Sequence, residues 1–126
     1  MHLLFGRSNP EEPPGFREGM DWGWLGPTLE AGLARFPFLE GLFLDRKASW
    51  WGYYEVTPDH NHILGFVEEG LLVAAGFSGH GVQQAAMVGR LMAEEVAFGQ
   101  ARSQDITPFR LRRFREGRPL QERGIV

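Results

Sequence analysis

The 126-residue sequence contains no cysteine, which excludes a disulfide framework, a thiolate metal site and a cysteine nucleophile. It also lacks a long apolar run. The strongest, Gly70 to Phe77, falls far short of the roughly 20 residues of a membrane helix, and Met1 to Phe5 is too short for a signal-peptide core. These absences predict a soluble, cytoplasmic protein with no membrane partner. No internal repeat or low-complexity tract is present, and no Ser-His-Asp grouping argues for hydrolysis. Neither of the common phosphate-binding glycine motifs occurs: there is no Gly-x-Gly-x-x-Gly, and no Gly-Lys-Ser/Thr for a Walker loop.

What is there is an ordinary globular composition, 43% hydrophobic and 23% charged, in a chain long enough to bury a core. The net charge of −3 is unevenly spread, with +4 in residues 100–126 and −7 in the remainder. In the basic stretch Arg110, Arg112, Arg113, Arg115 and Arg118 alternate with Phe109, Leu111 and Phe114. Arginines interleaved with aromatics are also the make-up of a nucleic-acid arm. The simpler expectation, adopted here, is an apolar strip that docks on the acidic body with its arginines solvated or paired and no nucleic acid involved.

Along the chain, His2 to Phe5 reads as a short strand before the turn-rich Ser8 to Gly15. Leu25, Leu29, Leu33 and Phe36 recur at helical spacing, with Pro27 suited to a first turn and Pro37 a stop, so a helix is expected near 27–36. Leu42 to Val56 is rich in aromatic and β-branched residues and predicts a strand, ended by Thr57-Pro58-Asp59. Leu71 to Ala75 reads as a buried strand. The glycine-rich loop Gly76 to Gly81 follows, and then a long helix over Val82 to Phe98 with Gly99 as its C-terminal cap.

A strand, glycine-rich loop and helix in succession presents backbone N–H groups and a positive helix end to an anion or an electron-rich ring. Glycines there also serve tight turns alone, so the segment is a candidate rather than a proof. Asp59, His60 and His62 sit together, but three donors in four residues of a turn with no distant fourth predict no metal site. His80 is a candidate base by its chemistry. Arg90, Glu94 and Glu95 on the long helix are expected on a solvated face or at a domain contact. Ala85, Ala86 and Gly89 form a small-residue stripe that lets another element approach closely.

Taken together, Trp51-Gly52-Tyr53-Tyr54-Glu55-Val56-Thr57-Pro58-Asp59, Ile63-Leu64-Gly65, Gly70 to Gly81 ending in Gly-Phe-Ser-Gly-His-Gly, Gly89 to Glu94, Asp105 to Phe109 and Arg113-Phe114 resemble a known pattern. It is that of the carboxy-terminal part of the D-amino-acid oxidase and sarcosine oxidase family, which includes glycine oxidase-like enzymes. The resemblance is dense from Trp50 to Phe114. Residues 1–46 resemble the end of that family's substrate domain, 47–114 its FAD-domain strand-loop-helix region, and 115–126 form a basic tail.

The resemblance implies an α+β chain holding part of an FAD-oxidoreductase fold, a mixed sheet with one long helix after the glycine loop. It implies hydride transfer from a carbon beside an amine to FAD, with Gly79, His80, Gly81 and Gln83 near the flavin and Tyr54 lining the substrate cavity. His80 then becomes a loop residue whose backbone matters most, and no catalytic residue is assigned. Gly52 stands where some members carry the FAD-tethering cysteine, so any flavin is non-covalent. Gln83 stands where they carry a lysine, which leaves a dehydrogenase open. Because the family's amino-terminal Gly-x-Gly-x-x-Gly is absent, FAD is expected only with a companion chain that bears it. The other expectation is a truncated remnant or non-catalytic interaction module that self-associates.

Overall fold

A computed structural model describes residues 3–121, which divide into two compact units meeting at Gly52 and Tyr53.

The first unit holds one helix, α1 (Leu25–Arg35), followed by a short 3-10 turn, Pro37–Gly41. Pro27 lies in the first turn, where its missing N–H costs nothing. The buried side of α1 is small, at Thr28 and Gly32. A Cβ on Gly32 would come within 2.7 Å of the Phe5 ring, so the glycine is what lets the amino-terminal segment lie against the helix. Thr28 Oγ1 donates to the Trp24 carbonyl at 2.8 Å, and the guanidinium of Arg46 stacks 4.1 Å from the centre of the Trp22 ring.

The second unit contains β1 (Ile63–Glu68), β2 (Leu71–Ala75), α2 (Gly81–Phe98) and a single-turn helix, α3 (Arg112–Arg115), preceded by a 3-10 turn at Thr107–Phe109. β1 and β2 are an antiparallel hairpin with Leu64 opposite Ala74 and Phe66 opposite Leu72, and a bulge between Phe66 and Glu68. Gly70 supplies the positive φ of the connecting turn, +78°. The core is Leu64, Val88, Leu91 and Ile106, with Phe77, Met92, Ala101 and Phe109 packed around it. α2 ends as its sequence requires, with Gly99 at φ +74° donating its N–H to the Glu95 carbonyl at 2.9 Å.

Several expectations are corrected. The sheet is a two-stranded antiparallel hairpin among the described residues, not a mixed sheet of several strands. Leu42 to Val56 forms no strand, since it has no neighbour to share a ladder with and leaves Phe43, Trp50 and Tyr54 exposed. Leu3 to Phe5 is likewise irregular, and His2 lies outside the described residues. β1 is not among the elements expected from the sequence, although Glu69-Gly70 between two apolar runs is a hairpin signal. Glu95, expected on a solvated face or at a domain contact, is 1% exposed and paired within its own unit. It turns inward because Arg110 meets it with two bonds of 2.7 Å and the Ala101 amide donates to it at 2.6 Å. Those Arg110 bonds hold the Glu95 carboxyl below its usual range against the opposing effect of burial. The Arg110 side chain reaches Glu95 across Gly65, whose φ of +100° and missing Cβ open the path.

The arginine-rich stretch docks on the acidic body. Arg113 is 4% exposed and is bound to Asp59 through Nε to Oδ2 at 2.7 Å and Nη2 to Oδ1 at 2.9 Å. It also donates to the carbonyls of Asn61 at 2.7 Å and Phe109 at 3.0 Å. Asp59 in turn accepts from the amides of Leu120 at 2.9 Å and Asn61 at 3.2 Å and from Thr57 Oγ1 at 3.2 Å. Burial by itself would raise the Asp59 pKa. The Arg113 bonds, these amides and the Arg113 charge outweigh it and hold the carboxyl well below the usual carboxylate range.

Asp59→Asn should therefore cost about 3–5 kcal/mol in urea unfolding, because it leaves the Arg113 charge buried without its counter-ion. In the parent the depressed pKa means the stabilisation is complete above the unfolded value of about 4 and is lost as pH falls below it. The urea midpoint of the parent should drop on acidification below about pH 4, and that of the Asn variant should drop less.

Candidate functional site

The turn from β2 into α2 is built from Gly76 to Gly81. Gly76 (φ +74°) is packed against the Thr57 methyl group with no room for a Cβ. Ser78 adopts φ +51°, a strained left-handed conformation for a non-glycine residue, and Gly79 follows at +88°. Two hydrogen bonds from one residue hold this backbone. The Phe77 N–H donates to the Glu55 carboxylate at 3.1 Å, and the Ser78 N–H donates to the Glu55 carbonyl at 3.1 Å.

Tyr54 is brought to the same place, for a Cβ on Gly79 would sit 3.2 Å from the Tyr54 ring. The structure thus joins two residues singled out separately in the sequence, Gly79 and Tyr54, the latter 58% exposed. His80 is the residue at the start of α2 and makes no side-chain cap. Its imidazole has no hydrogen-bond partner among the described residues, so nothing here orients it as a base. Gly81 begins the helix without a positive φ, and a Cβ there would meet only Phe77, at an ordinary 3.4 Å. Gln83 lies in the first turn of α2 with its side chain exposed and no partner among the described residues.

Electrostatically the site is the positive end of an 18-residue helix with no acidic residue in its first turn and no side-chain cap. The opening N–H groups of such a helix have no carbonyl partner within it. The arrangement can place donors and partial positive charge against an anion or an electron-rich ring edge beside an exposed tyrosine. The residue that sequence reasoning did not single out is Glu55, although it lies within the Trp51 to Asp59 stretch that carries the resemblance.

The neighbouring histidines have other tasks. His60 is exposed at φ +57°. His62 is stacked between Phe77, 5.3 Å away between ring centres, and Phe109 at 4.3 Å. Burial, reinforced by the Arg113 charge, lowers its pKa, so it packs as a neutral ring. Beside it the Gln84 side-chain oxygen is buried with no well-placed donor. Asp59 is taken up by Arg113, and among the described residues no group of three His, Asp or Glu side chains is placed to hold a metal ion.

The site is thus a strand, a glycine loop held by an acidic side chain, and a helix whose first turn has no side-chain cap. The profile of the family of FAD-dependent oxidoreductases that includes D-amino-acid oxidase matches residues 2–95, and the chain belongs to that family. The chain is 41% identical over 95 residues to FAD-dependent oxidoreductase domain-containing protein 1 of Xenopus laevis, a match covering 73% of this chain and 19% of that protein. It is 38% identical over 88 residues to N-methyl-L-tryptophan oxidase of Salmonella enteritidis, covering 66% of this chain and 23% of that one. The crystal structure of L-proline dehydrogenase from P. horikoshii superimposes with a TM-score of 0.76 at 32% identity, over 82% of this chain and 28% of that chain. The chain therefore spans about a fifth to a quarter of the length of the curated relatives it matches. The fold is part of the FAD-oxidoreductase fold, and the family is one of flavin-dependent amine and amino-acid oxidoreductases. No helix among the described residues is long and apolar enough to cross a membrane.

The two loop glycines should respond differently to a methyl group. Gly79→Ala combines positive-φ strain with displacement of Tyr54 and should cost about 1–3 kcal/mol in urea unfolding, whereas Gly81→Ala should change stability by less than about 1 kcal/mol. Equal losses at both positions would show that the Tyr54 contact does not shape the loop.

Proposed function

We propose that this chain supplies the carboxy-terminal portion of an FAD-dependent amine or amino-acid oxidoreductase, completed by a companion chain that carries the dinucleotide-binding half. The observation that carries the reading is the Glu55-held glycine loop, with Tyr54 against Gly79, opening into the uncapped α2. When bound, FAD would supply the hydride acceptor for a substrate carbon beside an amine. In this chain the backbone of Gly79, His80 and Gly81 would face the pyrimidine edge of the ring, where N–H donors and the helix dipole favour added negative charge. The Gln83 amide would add a donor without a fixed charge, and Tyr54 would wall the substrate side. With Gly52 at the position of the tethering cysteine, attachment would be non-covalent.

Two surfaces support a companion. Val82, Ala85, Ala86, Gly89 and Val96 make an exposed apolar stripe along α2, with Val82 93% exposed. The outer edge of β2 pairs with no strand among the described residues, and Leu71, Ala74 and Ala75 on that strand are exposed. Apolar helix faces and open strand edges of this kind are covered in stable assemblies.

Alone, the purified chain should be colourless, with no FAD binding tighter than about millimolar, because a few net hydrogen bonds of about 1 kcal/mol each do not offset the cost of association. Co-expression with a companion bearing Gly-x-Gly-x-x-Gly should give a yellow complex that an amine substrate bleaches without oxygen. In that complex Gln83→Leu should lower the flavin potential and Gln83→Lys should raise it. Stoichiometric FAD on the isolated chain would refute the missing-half reading. If no companion restores colour and light scattering shows a self-associated chain, the non-catalytic interaction module becomes the better account.

A further inference from the structure

In the second unit the arginine-rich segment and β1 line an open cleft of about 450 Å³. That volume lies within the range of small-molecule sites, roughly 300–1,000 Å³. Its apolar lining comes from Phe66, Val67 and Leu111, and its cationic lining includes Arg112 and Arg115, which stand three residues apart on α3.

The charges around it sort into two groups. Arg110 also lines the cleft, but its guanidinium is taken up by both oxygens of Glu95. Arg113 is consumed by Asp59, and Arg118 by Glu116. Acids also lie close to the lining in sequence: Glu116 pairs with Arg118, Asp105 accepts the N–H of the lining residue Thr107 at 2.8 Å, and Glu68, next to the lining residue Val67, is exposed at the end of β1. Arg112 and Arg115 are exposed, and neither side chain has an ion-pair, hydrogen-bond or ring partner among the described residues. They are thus the unspent positive charge of a segment whose other arginines at 110, 113 and 118 are all paired, and they line a concave, partly apolar surface. Two guanidinium forks at i, i+3 suit an oxyanion with several acceptor oxygens, and the Phe66–Leu111 lining suits a carbon body attached to it.

We propose that this cleft is a second binding site, separate from the flavin-facing loop, for a small organic anion: a phosphomonoester or comparable oxyanion carried on a compact apolar group. It does not depend on FAD or on a companion chain.

The test is calorimetric titration of the full 126-residue chain at low salt with phenyl phosphate as the probe, and with inorganic phosphate, phenol and hexaglutamate in parallel. Phenyl phosphate should bind one to one and at least about tenfold more tightly than inorganic phosphate or phenol, since only it engages both linings. Arg112→Ala and Arg115→Ala should each weaken it about five- to tenfold with no change in melting temperature, as both side chains are exposed. Arg112→Lys should restore part of the loss, keeping the charge but not the fork. Arg118→Ala removes the same charge outside the cleft and should leave affinity unchanged. The proposal is overturned if Arg118→Ala weakens binding as much as the cleft variants, which would mark a diffuse basic field. Equal affinity for inorganic and phenyl phosphate, or no saturation by about 10 mM, would also overturn it. Tighter binding of hexaglutamate would do so too, by marking a surface for an acidic protein segment.

Discussion

A guanidinium cannot be left alone in a protein interior, and Arg113 is almost wholly buried. Its five donors are met by both Asp59 oxygens and by the carbonyls of Asn61, Phe109 and Arg110. Those acceptors come from the turn before β1 and from the segment after α2, about fifty residues later. The Leu120 amide closes on the same carboxylate. One ion pair therefore decides where the end of the described chain lies, and Asn61, held beside it, leads directly into His62 and β1. Removing either partner leaves an unpaired charge in low dielectric, so the geometry is enforced by the cost of its absence more than by the net strength of the bond.

The second buried pair, Glu95 with Arg110, extends this constraint to the long helix. Glu95 lies near the end of α2, Arg110 follows the 3-10 turn at Thr107–Phe109, and the arginine reaches its partner over Gly65 of β1. Helix, hairpin and carboxy-terminal segment are thereby clamped around a core of four buried apolar side chains among the described residues. With so small a core, paired charges supply the positional information that packing provides in larger domains. They also hold α2 behind the loop at its start, and Glu55 fixes the loop from the other side. The candidate flavin-facing turn is thus a consequence of contacts that lie mostly outside it.

The same clamping explains why the arginine-rich segment behaves as two populations. Arg110 and Arg113 point into the unit and are spent on buried carboxylates; Arg112 and Arg115 stay exposed beside the cleft. In the sequence they are one basic run. Direction distinguishes them: Arg110, just after the 3-10 turn, and Arg113 in α3 face inward, while Arg112 and Arg115 of the same short helix face out.

Local chemistry makes much of this protein legible from its amino-acid sequence. Pro27 and Pro37 bound the first helix, Gly99 closes the long one, the apolar run Leu71 to Ala75 forms β2, though partly exposed rather than buried, and Gly-Phe-Ser-Gly-His-Gly belongs to the pattern that marks the family. Each of those signals is carried by residues adjacent in the chain, where backbone sterics and capping act without help from elsewhere. Only the tertiary structure decides the features that depend on a partner far away in sequence. Leu42 to Val56 has strand composition but no neighbouring strand among the described residues, so it has no ladder to join. Glu95 is a carboxylate on the same face of α2 as Val88 and Leu91, and it is buried there because Arg110 arrives fifteen residues later to pair with it. Tyr54 and Gly79 meet, and Asp59 meets Arg113, only once the chain has closed, because a hydrogen bond or ring contact between distant residues leaves no trace in local propensity and is decided by packing alone.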